Sequence, residues 1–209
     1  MMEIVSPSSS MCELLIATHN RGKLVEIEKL LAGVPVKLLT VDDVGFQPDF
    51  RVDEVGETFE GNALIKAFIC GKKSGKLSLG EDSGLEIDAL GGRPGVQTKR
   101  YAEGTSDNGY AKIFAELADV PDEKRGAQFR SVIALYDPAT DKVRICEGIA
   151  RGKITHEAHG TNGFGQDPIF RYEENGKVGG EMSTDEKNAV SHRAKSLAKV
   201  RDILLSEFV

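Results

Sequence analysis

Glu81-Asp82-Ser83-Gly84 sets two adjacent carboxylates between the strand-like runs at Leu77–Leu79 and Leu85–Ala89. Read as a turn, this segment can hold a divalent cation through carboxylate oxygens or present one carboxylate as a general base. Thr18-His19-Asn20-Arg21-Gly22-Lys23 joins a short apolar run to the start of a helical pattern. Free N–H groups and the dipole at such a helix start favour an anion, and Arg21 and Lys23 add positive charge. An ordinary capped helix start with solvated basic residues has the same sequence. Gly163-Phe164-Gly165-Gln166-Asp167 combines close backbone approach, an aromatic face for stacking and an acceptor. A β-turn with one buried aromatic fits it equally. Lys187 precedes Ser191-His192-Arg193. If Ser191 caps the last helix, Lys187 lies before that helix and can converge with His192 and Arg193 on an anion or a base. If Ser183 caps instead, the segment is a charged, solvated helix start.

Other chemistries lack their residues. No Gly-x-x-x-x-Gly-Lys-Ser/Thr phosphate loop and no Gly-x-Ser-x-Gly nucleophile elbow occur. Gly163-Phe164-Gly165 does not continue to a dinucleotide-binding fingerprint. His156-Glu157-Ala158-His159 has its histidines three apart, one short of the zinc-helix spacing, so solvated loop residues are the reading there.

The elements that must carry these residues follow from periodicity. Leu14–Ala17 and Val36–Leu39 read as strands flanking a helix with Leu24, Ile27, Leu30 and Leu31 on one face. Residues 41–56 are an acidic, aperiodic loop. Thr58 can cap a helix to about Ser74, with Phe59, Ala63 and Ala67 inward. Gly91–Gly95 is a turn, and Ser106 can cap a helix carrying Tyr110, Phe114 and Leu117. Phe129–Tyr136 and Val143–Ile149 form a hairpin, and Leu197, Val200, Leu204 and Phe208 stripe the last helix. Alternating elements followed by a hairpin predict an α/β fold on a mixed sheet.

The 209 residues carry a net charge of −6, with 40% hydrophobic and 29% charged residues. That field disfavours a nucleic-acid backbone or an anionic membrane as partner, so an anionic ligand needs a local basic cluster or a metal. No apolar run reaches membrane-spanning length. Cys12, Cys70 and Cys146 are far apart and form no Cys-x-x-Cys pair, which points to a reducing cytoplasm. Residues 1–10, ending in a serine run, lack the pattern of a signal peptide and read as a disordered extension to one domain, 11–209.

Taken in order, five segments resemble the inosine triphosphate pyrophosphatase family, also called dITP/XTP pyrophosphatases. They are Thr18-x-Asn20-x-x-Lys23, Glu81-Asp82-Ser83-Gly84-Leu85, Pro94-Gly95 with Arg100-Tyr101, Phe164-Gly165-Gln166-Asp167-Pro168, and Glu186-Lys187 with Ser191-His192-Arg193. The resemblance runs from about Leu14 into the last helix. It implies an elongated, two-lobed α/β fold with a long, twisted mixed sheet, flanking helices and an active site in the cleft between lobes. It also implies a homodimer, Mg²⁺, and hydrolysis of ITP, dITP or XTP to the monophosphate and pyrophosphate.

By the same resemblance, Asp82 is the catalytic base and a metal-site carboxylate, and Glu54 is the best match for a second metal carboxylate, with Asp49 or Asp53 of that loop as the alternatives. Thr18, His19, Asn20, Arg21, Gly22 and Lys23, with Lys187, hold the phosphates. Ser83, Phe164, Gly165, Gln166, Asp167, His192 and Arg193 frame the ribose and base. Lys99 or Arg100 supplies a further basic group. The sequence departs from the family at His19, where many members have Gly, at Gln97, where many have Tyr, and at Gln166, which replaces Tyr or Trp.

Overall fold

The computed structural model describes residues 11–47, 49–101 and 109–209. The expected extension 1–10 and the expected cap Ser106 lie outside them. One six-stranded sheet runs in the order β2-β1-β3-β4-β5-β6. Its strands are β1 (Cys12–Ile16), β2 (Val36–Leu39), β3 (Leu77–Ile87), β4 (Gly126–Asp137), β5 (Lys142–Ile154) and β6 (Phe170–Tyr172). β1 is parallel to both β2 and β3, and the remaining pairings are antiparallel. This is the mixed α/β sheet that the sequence pattern predicts. The helices are α1 (Arg21–Leu30), α2 (Phe59–Ser74), α3 (Thr98–Tyr101), α4 (Tyr110–Glu116), α5 (Thr184–Val190) and α6 (His192–Glu207).

The helix boundaries follow from local chemistry. Thr58 accepts from Gly61 N at 3.0 Å to start α2, and Gly75 ends it in the left-handed region at φ 69°. At the C-terminal end both candidate caps are used. Ser183 and Glu186 form a capping box on α5, while Ser191 ends α5 and caps α6 through Ala194 N at 3.1 Å. Lys187 therefore sits in a short helix of its own, separated by the extended Ser191 from the helix that carries His192 and Arg193.

One expectation is overturned. Glu81–Gly84 is not a turn but the middle of β3, an 11-residue strand paired with β4 from Ser78 to Ile87. Its charges and glycines conceal the strand because they lack an apolar alternation, yet each glycine has a packing reason. A Cβ on Gly80 would stand 2.2 Å from the Ala63 carbonyl oxygen of α2, and one on Gly84 would stand 2.4 Å from the Gly95 carbonyl oxygen. Both positions let backbone approach backbone.

The apolar core is divided along this strand. Leu77 and Leu79 belong to a cluster with Leu14, Ile27 and, on α6, Leu197 and Val200. Leu85 and Ile87 belong to another with Ile113, Phe129, Ile169 and Phe170. The polar stretch Gly80–Gly84 lies between the two clusters.

Candidate active site

The pleat of β3 sends successive side chains to opposite faces. Asp82 and Glu81, adjacent in sequence, therefore enter different environments. Asp82 faces α2, where Asn62 and Lys66 stand one helical turn apart on the same side. Asn62 Nδ2 donates to Asp82 Oδ2 at 3.0 Å, and Lys66 Nζ donates to Asp82 Oδ1 at 3.2 Å. Lys66 Nζ also reaches Glu54 Oε1 at 3.1 Å, so one ammonium joins the carboxylate of the strand to that of the 41–56 loop. Burial pushes the Glu54 carboxyl up, but Lys66, with Lys23 and Lys99 farther off, outweighs burial and holds it below its usual value. The loop is held in place by Gly56 N donating to Asn62 Oδ1 at 2.8 Å and by Arg100 donating to the Glu54 carbonyl at 2.9 Å.

Glu81 faces the other side, toward α1 and α6. It pairs with Lys23 at 3.0 Å and Arg193 at 3.0 Å, and accepts from the Ser131 hydroxyl at 3.0 Å. Burial raises its carboxyl, but Arg193 and Lys23 prevail and hold it well below the normal carboxylate range. Arg193 donates in addition to Ser83 Oγ at 3.2 Å and to Glu26. Glu26 also takes Lys187 at 2.9 Å, and Lys187 reaches Asp167 at 2.6 Å. Three acids and three bases thus close a buried network behind the strand.

That network carries an aromatic wall. Lys187 Nζ lies 4.5 Å from the centroid of the Phe164 ring, and Asp167 accepts from Phe164 N at 2.8 Å. Phe164 meets the start of α1 directly: a Cβ on Gly22 would be 2.9 Å from its ring. The helix start is organised as the sequence suggests, with Asn20 Oδ1 accepting from Lys23 N at 3.2 Å and Thr18 Oγ1 accepting from Asn20 N at 3.2 Å. His19 Nε2 lies 3.3 Å from Arg51 Nη1 of the loop. His192 stacks on Phe129 with centroids 4.9 Å apart. Burial, then the Arg193 and Lys187 charges, hold its ring well below the usual histidine range, so it is neutral at pH 7.

A cleft of about 880 Å³ opens on these groups. Of the site residues expected from sequence, all line it except Arg21, which is exposed on the first turn of α1. A somewhat larger groove, about 1000 Å³, lies at the far end near β5 and β6. Its acids Asp88, Asp119, Glu123 and Glu173 are all exposed, so it lacks the desolvated charges of the first cleft.

A family model described as the Ham1 family matches residues 14–203. The chain belongs to the Ham1 family. The chain is 45% identical over 197 residues to a dITP/XTP pyrophosphatase of Geobacter sulfurreducens, covering 93% of this chain and 97% of that protein. It is 39% identical over 196 residues to one of Bacillus subtilis, covering 93% and 98%. Among solved structures, a HAM1 protein from Coxiella burnetii superposes with a TM-score of 0.84 at 36% identity, covering 93% of this chain and 99% of that one.

Within this Ham1 fold, sequence reasoning passed over Glu26, Asn62 and Lys66. Each is a buried polar residue at helical spacing with an apolar stripe: Glu26 beside Ile27, and Asn62 and Lys66 beside Ala63 and Ala67. A polar residue inside an apolar face was the available signal. Among the described residues, no three Cys, His, Asp or Glu side chains converge on one point. The pair Glu54 and Asp82 is too small for a closed zinc or calcium cage. It suits a hard cation that takes most of its ligands from water and phosphate.

Proposed function

We propose that this chain hydrolyses ITP, dITP and XTP to the nucleoside monophosphate and pyrophosphate, acting as a homodimer in the cytoplasm with Mg²⁺. The observation that carries this reading is Asp82, both oxygens fixed by Asn62 and Lys66, set beside Glu54 in a cleft that the start of α1, Phe164 and His192 also line. The first groups suit a cation and phosphate, and the two rings suit a flat heterocycle. The three cysteines are free, which supports a reducing compartment.

Water attacks the α-phosphorus, the bond from that phosphorus to the α–β bridging oxygen breaks, and pyrophosphate leaves. Asp82 orients this water and accepts its proton. Asp82 and Glu54 would hold Mg²⁺, which would supply positive charge at the phosphate oxygens and make water more acidic. The N–H groups at the start of α1, with Lys23, take the anionic phosphate chain. Phe164 stacks on the base, stiffened from behind by Lys187 and Asp167. Arg193 fixes Ser83 toward the ribose. His192 donates to the 6-oxo group of hypoxanthine or xanthine; adenine offers an amino group there and leaves that donor unpaired.

The test is product identification on a panel of ITP, XTP, dITP, ATP, GTP and modified pyrimidine triphosphates with Mg²⁺, resolved by anion-exchange chromatography. IMP and pyrophosphate from ITP are expected. IDP with inorganic phosphate, or preferential cleavage of a pyrimidine triphosphate, would overturn the reading.

A further inference from the structure

Lys66 stands where a cation shared by Glu54 and Asp82 would stand, at 3.1 and 3.2 Å from their oxygens. We propose that Lys66 is a positioning residue that holds the two carboxylates together in the empty enzyme, keeps free metal out, and so makes metal arrive together with nucleotide. The proposal rests on the reading of Glu54 and Asp82 as the metal carboxylates.

Three features support it. First, the Asp82 side chain is only 9% exposed, and an unpaired carboxylate at that depth is costly, so some cation must accompany it at all times. Lys66 is the group in contact. Second, Asn62 already occupies the other Asp82 oxygen, so the carboxylate cannot turn to serve ammonium and metal on separate sides. A divalent ion and an ammonium on the same oxygens repel, which makes entry of one and exit of the other a single event. Third, the base of the stem is pinned and its head borders the cleft. α2 packs on Gly80 so closely that a Cβ there would be 3.0 Å from Lys66 Cβ, while the ammonium stands at the end of a flexible four-carbon stem on the cleft lining. The buried acids across β3 are already claimed, Glu81 by Lys23 and Arg193 and Glu26 by Lys187 and Arg193. Lys66 lines the same cleft as the start of α1, so the phosphates of an incoming nucleotide would offer a displaced Lys66 a new anion.

The idea predicts a change opposite in sign to the loss of a scaffold. In nucleotide-free protein, Mn²⁺ is titrated and the free ion followed by electron paramagnetic resonance. Lys66→Met is expected to bind Mn²⁺ about tenfold more tightly than the wild type, a coupling of ordinary size. Lys66→Arg should stay within about twofold of wild type, and adding Asp82→Asn to Lys66→Met should abolish the gain. Lys66→Gln replaces Lys66→Met if circular dichroism shows that the latter is unfolded. Unchanged or weaker binding in the charge-removing variant would overturn the proposal, as would a gain that survives Asp82→Asn. Because no turnover is measured, failure here leaves the product assay standing. The wrong products in that assay would equally leave this titration interpretable.

Discussion

Two groups of buried charge flank the same strand, and they are built differently. On the α2 side, one cation, Lys66, is shared by two acids, and the Glu54 side chain is 40% exposed. On the α1–α6 side, three acids meet three bases, and Arg193, Glu81 and Asp167 are nearly inaccessible. The first group carries surplus negative charge and an opening to solvent, which is what a site for an exchangeable cation requires. The second balances in charge and is nearly closed, with Lys23 at its edge on the cleft. It has no spare acid to offer a metal, but it holds Phe164 and Ser83 in place. The proposed metal carboxylates and most of the scaffold thus lie on opposite faces of β3, one residue apart in sequence.

Changes on the two faces should therefore fail in different ways. The largest effect is expected from Asp82→Asn, which keeps shape and removes the proposed base. Turnover should fall by about 10³-fold, within the range for loss of a general base, while the thermal midpoint and circular dichroism stay near wild type. A variant with near-normal turnover would break the distinction. Glu26→Gln should do the reverse first. It leaves Lys187 and Arg193 short of an anion, and breaking a buried pair costs about 3–5 kcal/mol in urea unfolding. Glu60→Gln, which disturbs only a half-exposed pair with Arg130, should cost less than about 1 kcal/mol and serves as the control.

The smallest effect concerns pH. His192 is held far below its ordinary value of 6.5 by burial and by Arg193 and Lys187. The unfolded ring protonates near that value while the folded ring remains neutral, so unfolding takes up a proton. Stability should thus fall as pH is lowered from 7 to 5, with His192 contributing up to about 1.4 kcal/mol per unit. His192→Phe, which keeps the stack on Phe129, should flatten this slope by up to one proton in urea midpoints measured at both pH values. An unaltered slope would place the charge-sensitive group elsewhere.

Much of the architecture is legible in the chain because it rests on periodic burial. α1, α2, α6 and the β4–β5 hairpin follow from apolar spacing, with Thr58 and Ser191 as caps of α2 and α6. The site residues follow from the family resemblance, and all but Arg21 line one cleft. β3 is not legible at its centre, where Gly80 and Gly84 are small because a helix and a loop press against them, facts of tertiary contact. Nor could the Glu81-Asp82 dipeptide be resolved into two roles until the segment was known to be a strand. The same holds for Glu26, Asn62 and Lys66: a polar residue on an apolar face announces that something will meet it, not what. Lys66 matters only because the 41–56 loop brings Glu54 alongside Asp82.

That pairing of a loop acid with a strand acid has a consequence in time. Asp82 rides on a strand bonded to β4 along ten successive residue pairs, so its amides can exchange with solvent only when the sheet itself opens. Glu54 hangs from a segment with neither helix nor strand, tied back by Asn62 and Arg100. An ion that bridges the two would fasten a fast-exchanging segment to a slow one. Ligation would then be recorded as deuterium uptake slowing across residues 50–56, with β3 keeping the pace it already had.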